Sequence, residues 1–138
     1  MAAYLAFFAA AKDVLDRKIA RIHNRLETQL GREGAYVDAL YFCPHHPDAG
    51  FPGEIRDLKI DCDCRKPKTG MVTRAASDLN IALDRSWMVG DTSSDIEMAR
   101  RAGLRAILVR TGEGGRDGKY NTKPDFIADD LSGAVDII

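Results

Sequence analysis

Between residues 13 and 30 the apolar positions Leu15, Ile19, Ile22, Leu26 and Leu30 recur at intervals of four, three, four and four. That is the period of one helical face, and Arg17, Lys18, Arg21, Arg25 and Glu27 fall mostly on the opposite, watered side. Gly31 and Gly34 supply the stop. The pattern then changes. Val37 to Cys43 is short, β-branched and aromatic, which predicts a strand running into a polar loop. Beyond the loop, Thr69 is placed to cap a helix whose apolar positions are Met71, Val72, Ala75, Ala76 and Leu79. Ser86 to Val89 reads as a strand ended by Gly90-Asp91. Ser94 and Glu97 have the spacing of a capping box for a helix through Ala102, stopped by Gly103. Arg105 to Val109 predicts another strand, followed by the glycine-rich loop TGEGGRDGK. Phe126 to Ala128 closes the strand series, and Leu131 to Ile138 reads as a final helix. Strand and helix alternate, so the expected class is α/β with a mostly parallel sheet.

Composition narrows the function. At 138 residues the length fits one domain with a real core. The net charge of −1, with signs interspersed, excludes a nucleic-acid footprint or a polybasic membrane patch. The uncharged opening MAAYLAFFAAA is too short to span a bilayer and lacks the basic start of a secretory signal, so a helix start or a leader is expected. Three cysteines cannot pair completely, which points to a reducing, cytoplasmic setting.

All three cysteines fall in YFCPHHPDAGFPGEIRDLKIDCDC. Cys43 and His45 are one residue apart, as are Cys62 and Cys64, with sixteen residues between the pairs. Two such knuckles supply four soft or borderline ligands, enough for a closed tetrahedral zinc site that pins a loop. His46 is the alternative to His45; the repeated one-residue spacing favours His45. Pro44 and Pro47 stiffen one knuckle, and Asp61 and Asp63 are candidate outer acceptors. The competing reading, three buried thiols beside a surface histidine pair, leaves the clustering unexplained. Directly after Cys64 come Arg65, Lys66 and Pro67. Two cations at the rim of a rigid loop suit a phosphate, although a solvated basic pair is the commoner meaning of such a dipeptide. The segment SWMVGDTSSDIEMA adds Asp91 at the carboxyl end of a predicted strand, where open α/β sheets gather ligands and where a carboxylate can hold Mg²⁺. Asp95 lies one helical turn on, placed to brace that loop.

The run CPHHP…CDCRKP…GM…MVGDTSSD…AGLRAILVRTG…PDFIADDL resembles the D-glycero-D-manno-heptose 1,7-bisphosphate phosphatases, which with the histidinol phosphatases belong to the haloacid dehalogenase (HAD) superfamily. The resemblance implies an HAD-like, Rossmannoid three-layer fold over residues 35–138, carrying the zinc loop 43–64, behind a helical segment 1–34. It implies Cys43, His45, Cys62 and Cys64 as structural zinc ligands, Arg65 as the sugar-phosphate contact and Lys66 as the charge that neutralises the transferred phosphoryl group. Asp91 would complete a Mg²⁺ site, and Thr92 would stand beside it near the substrate.

One feature of that family has no counterpart in these 138 residues. Members open with a strand ending in D-x-D-G-T, whose first Asp attacks phosphorus and whose second serves as acid and base; a later Thr or Ser also binds phosphate. The sole D-x-D here, Asp61-Cys62-Asp63, lies between zinc ligands with no Gly-Thr sequel. The expectation is therefore the rear part of a phosphatase, with no turnover by itself because nothing supplies the attacking oxygen. The strand Ser86–Val89 would then carry an unpaired edge, so self-association or a partner segment is expected. Two other readings stay open: a non-catalytic zinc-stabilised module for phosphorylated ligands or a partner protein, and a histidinol-phosphate phosphatase fragment.

Overall fold

The computed structural model describes residues 2–138, with side chains described from Leu15 onward. Met1 and the side chains of the apolar opening stretch lie outside the described residues. The chain falls into two compact units, Met1–Asp61 and Cys62–Ile138.

The second unit is an α/β layer structure. Its strands β1 (Trp87–Gly90), β2 (Arg105–Val109) and β3 (Phe126–Ala128) pair in that order, all parallel. The register sets Trp87 opposite Arg105 and Ile107 opposite Phe126. Because side chains alternate across a strand, β2 serves both faces. Ala106 and Leu108 turn to helix α3 (Ser93–Ala102), where they meet Ile96, Ala99 and Met88. Ile107 and Val109 turn the other way, to Ala128, Ala134, Val89 and Trp87, beneath helix α4 (Leu131–Val135). Helix, sheet and helix thus form the three layers expected. Helix α2 (Gly70–Leu79) turns Met71, Val72, Ala75 and Ala76 to its half-buried side, as the spacing predicts, while Leu79 stays exposed.

Several boundaries differ from expectation, each for a local reason. The capping box on α3 is Thr92–Asp95 rather than Ser94–Glu97: the Thr92 side chain accepts from the Asp95 N–H and the Asp95 carboxylate from the Thr92 N–H. Strand β1 ends at Gly90, so the first residue able to cap stands two positions earlier than the pattern suggested. Thr69 occupies the N-cap of α2 but makes no side-chain cap bond, and the Gly70 N–H goes instead to the Asp63 carbonyl at 2.9 Å. Asn80, in the left-handed conformation at φ 53°, ends that helix. The last helix stops at Val135 rather than Ile138.

The first unit contains helix α1 (Ala2–Arg32), longer than the 13–30 stripe required, with Gly34 at φ 72° just beyond its end. Leu15, Ile19, His23 and Leu30 are half-buried, while Ile22 and Leu26 of the predicted stripe stay exposed. Val37–Cys43 is not a strand. β-Branched residues hold an extended ladder only when another backbone pairs with them, and no described strand does. Phe42 instead meets the edge of the His23 ring at 5.5 Å. No helix among the described residues is long and apolar enough to cross a membrane.

Candidate phosphate and metal sites

The loop after Cys43 is stitched by its own polar groups. The His46 N–H donates to the Leu58 carbonyl at 2.8 Å. The Glu54 carboxylate accepts from the N–H groups of Gly50 and Phe51 at 2.8 and 3.1 Å. Lys59 reaches Glu54 at 3.9 Å and lies over the Phe51 ring at 5.3 Å. At one end of the loop Cys43 Sγ lies 3.9 Å from His45 Nδ1. At the other, the sulfurs of Cys62 and Cys64 lie 3.1 Å apart without a disulfide between them. The donor atoms of Cys43, His45, Cys62 and Cys64 all fall within 4.8 Å of one another, a group able to hold a metal ion. Zinc bonds of about 2.3 Å to sulfur and 2.0 Å to nitrogen in a tetrahedron set donors roughly 3.5–3.8 Å apart, so the set fits a zinc ion after small adjustments. His45, not His46, belongs to it; His46 Nδ1 accepts from the Asp48 N–H at 3.2 Å. Asp61 and Asp63 are exposed, and the Asp63 carbonyl anchors the start of α2.

Beyond Cys64 the chain turns through Arg65, whose carbonyl accepts from the Lys68 N–H at 2.9 Å, and Pro67 is buried. This turn carries Lys66 to α3, where its ammonium meets Asp95 Oδ1 at 2.5 Å. Asp95 Oδ2 receives the Thr92 hydroxyl at 2.6 Å and the Thr92 N–H at 3.1 Å. Burial alone would raise the Asp95 pKa; the Lys66 and Thr92 hydrogen bonds outweigh it and hold the carboxyl below its ordinary value. Asp95 therefore fixes both the cation and the helix start.

Asp91 follows the last residue of β1, at the carboxyl end of the sheet. The glycine-rich loop wraps it. The Glu113 N–H donates to Asp91 Oδ2 at 2.9 Å, and the Gly115 N–H donates to the Asp91 carbonyl at 2.8 Å. Two glycines make room for these carboxylates. A Cβ on Gly112, at φ 65°, would stand 2.2 Å from Asp91 Oδ2, and a Cβ on Gly90 would stand 2.4 Å from Asp95 Cβ. Asp91 Oδ1 receives no hydrogen bond among the described residues, which leaves an oxygen available to a hard cation. Mg²⁺ commonly takes only one or two carboxylates and completes its shell with phosphate and water, so Asp91 fits that role.

A sequence model of HAD-hydrolase-like proteins matches residues 63–134, just over half of the chain. The chain belongs to that family. Among relatives, a D-glycero-D-manno-heptose-1,7-bisphosphate 7-phosphatase of Thermosynechococcus vestitus is 44% identical over 124 residues, 85% of this chain and 62% of that protein. A D-glycero-beta-D-manno-heptose-1,7-bisphosphate 7-phosphatase of Pseudomonas putida is 38% identical over 112 residues, 80% of this chain and 58% of that protein. Among solved structures, the D,D-heptose 1,7-bisphosphate phosphatase from B. bronchiseptica, crystallised with magnesium and phosphate, superposes with a TM-score of 0.70 at 30% identity. That match covers 86% of this chain and 62% of the other. The chain thus spans about three fifths of the length of these relatives.

In this HAD-hydrolase-like chain, sequence reasoning picked out Lys66, Asp91, Thr92 and Asp95, and the fold gathers Lys66, Thr92 and Asp95 into one hydrogen-bonded group with Asp91 beside it in the chain. It missed Ser93 and Asp117. Asp117 Oδ1 accepts the Ser93 N–H and Oδ2 the Ser93 hydroxyl, both at 2.7 Å. The signal was present as an Asp inside TGEGGRDGK, but a loop motif does not say which backbone group it will meet.

Proposed function

We propose that this chain provides the zinc loop and the charge-neutralising half of a Mg²⁺-dependent HAD phosphatase acting on a phosphorylated sugar, with D-glycero-D-manno-heptose 1,7-bisphosphate as substrate. The observation that supports it most is the Lys66–Asp95–Thr92 group adjoining Asp91 at the carboxyl end of β1. Lys66 would offset charge on the phosphoryl oxygens, Asp91 would hold Mg²⁺, and Thr92 would line the substrate. When bound, Mg²⁺ would polarise phosphate oxygens; the chain's own share is to hold Asp91 and Lys66 in fixed orientation. Arg65, on the same turn as Lys66, would meet the sugar phosphate through its planar fork. Cys43, His45, Cys62 and Cys64 would bind structural zinc and brace that turn. The heptose names of both relatives and of the solved neighbour favour this substrate over histidinol phosphate.

The 138-residue polypeptide contains no D-x-D-G-T, so it is expected to release no phosphate from the bisphosphate alone. In a chimera that sets the part of the Thermosynechococcus relative preceding its match before the first matched residue of this chain, Mg²⁺-dependent release should appear. It should drop at least a hundredfold with Lys66→Ala or Asp91→Asn. Turnover that survives both substitutions would sink the assignment. A second reading is a zinc-stabilised module that binds phosphorylated ligands or a partner without catalysis. Stoichiometric binding of the bisphosphate by the polypeptide, with no release in the chimera, would select it. Since β1 is an edge strand among the described residues, self-association or a partner segment is also expected; a strictly monomeric species in light scattering would count against that.

A further inference from the structure

The glycine-rich loop is fastened to the start of α3 at two points. One is Asp91, through Glu113 and Gly115. The other is Asp117, whose carboxylate takes both the N–H and the hydroxyl of Ser93 at 2.7 Å. Ser93 is buried, and its oxygen also receives the Tyr120 N–H at 3.1 Å. Ser93 is the first residue of α3, whose opening N–H groups have no partner within the helix. Thr92 satisfies that of Asp95; Asp117 satisfies that of Ser93 from twenty-four positions along the chain. A carboxylate accepting two hydrogen bonds in parallel is among the stronger neutral-donor clamps and fixes direction as well as distance. The Ser93 bonds also hold the Asp117 carboxyl below its ordinary pKa.

The Asp117 fastening lies four residues past Glu113 and two past Gly115. If the far end lets go, the loop can rotate about Gly114 and Gly115, both at positive φ, and the Glu113 N–H loses its aim at Asp91 Oδ2. We infer that Asp117 is a positioning residue: by clamping the glycine loop to Ser93 it fixes the rotamer of the Asp91 carboxylate and keeps Oδ1 turned toward a divalent cation. The cation part rests on the reading of Asp91 given above; the clamp itself does not.

The test is amide hydrogen exchange on the 138-residue chain, paired with Mn²⁺ titration read by water-proton relaxation. In Asp117→Ala, exchange at Glu113 and Gly115 should quicken at least tenfold, while Ile107 in β2 keeps its wild-type rate. A purely stabilising Asp117 would instead shift all three together or leave Glu113 alone, and either result overturns the inference. Asp117→Asn keeps one acceptor and should fall between. Ser93→Ala removes only the hydroxyl arm and should give the mildest change, which serves if the alanine variant at 117 does not fold. Mn²⁺ affinity should fall beyond detection in Asp91→Asn and by about three- to tenfold in Asp117→Ala. Mn²⁺ bound equally by wild type and Asp91→Asn would sink the metal reading while leaving the exchange result to decide the clamp. Mn²⁺ lost with Asp91→Asn but untouched by Asp117→Ala would sink the coupling.

Discussion

The buried hydrophobic core residues among the described ones, from Ile96 to Ala134, all lie in the unit Cys62–Ile138. Among its described side chains the unit Met1–Asp61 buries none of that class and leaves Ile22, Tyr36 and Phe51 more than half exposed. The two regions therefore stand on different physics. The second is held by removing alternate faces of a parallel sheet from water. The first has a helix, a few partial contacts and a loop stitched by Glu54 and Lys59, and little hydrophobic driving force to order residues 43–61. A metal ion held by the cysteine and histidine cluster would supply what such a loop lacks, since structural zinc is worth on the order of 10 kcal/mol in small domains.

The largest expected effect breaks this contrast directly. Stripping zinc with a strong chelator, or substituting Cys62 and Cys64 together by Ser, should abolish exchange protection at His46 and Leu58 while leaving Ile107 and Ala106 protected. If both sets lose protection together, the two regions do not differ in what holds them. Next comes the sheet itself. Ile107→Ala removes a fully buried side chain and should lower stability by about 2–5 kcal/mol in urea unfolding, with zinc stoichiometry unchanged in the folded protein. A cost below roughly 1 kcal/mol would mean that the sheet core is not the main support.

The same contrast governs how much could be read in advance. In the second unit local pattern and tertiary demand agree: Arg105–Val109 and Phe126–Ala128 are strands with the limits the sequence implied, and Gly103 ends α3 where expected. In the first, Val37–Cys43 has strand composition but no partner, and pairing is a property of two segments, not one. The Cys43, His45, Cys62 and Cys64 cluster was legible because donor chemistry at one-residue spacing is local. The Thr92–Asp95 box, two positions off the expected Ser94–Glu97, turned on where β1 stops. Ser93–Asp117 was beyond reach, because it joins groups twenty-four positions apart across a loop whose path only the folded chain defines.

A middle-sized effect sharpens the picture within the second unit. Gly103 and Gly112 both have positive φ, 76° and 65°, but a Cβ at Gly103 meets nothing within 4 Å, whereas one at Gly112 meets Asp91. Gly103→Ala should cost about 1 kcal/mol, the backbone term alone. Gly112→Ala should cost about 1 kcal/mol or more beyond that, and in the chimera it should impair Mg²⁺ dependence as well as stability. Equal melting temperatures for the two variants would show that the loop yields freely around Asp91.

The smallest effect concerns acid. Asp117 titrates below the ordinary carboxylate value of 3.8 because Ser93 donates to its charged form. A group depressed on folding stabilises above its unfolded pKa and ceases to as pH falls through the folded one. Wild type should therefore exceed Asp117→Asn in stability by a constant margin from pH 7 down to about pH 4, and the margin should narrow below that. Asp95, lowered by Lys66 and Thr92 against the effect of burial, should behave with the same sign. Urea midpoints for both proteins at pH 6 and pH 3 measure this. A margin that widened toward pH 3 would place the proton on some other group and detach Asp117 from the charge that aims its clamp. The acid response would then belong to the region of loops and ligands rather than to the sheet and its helix caps.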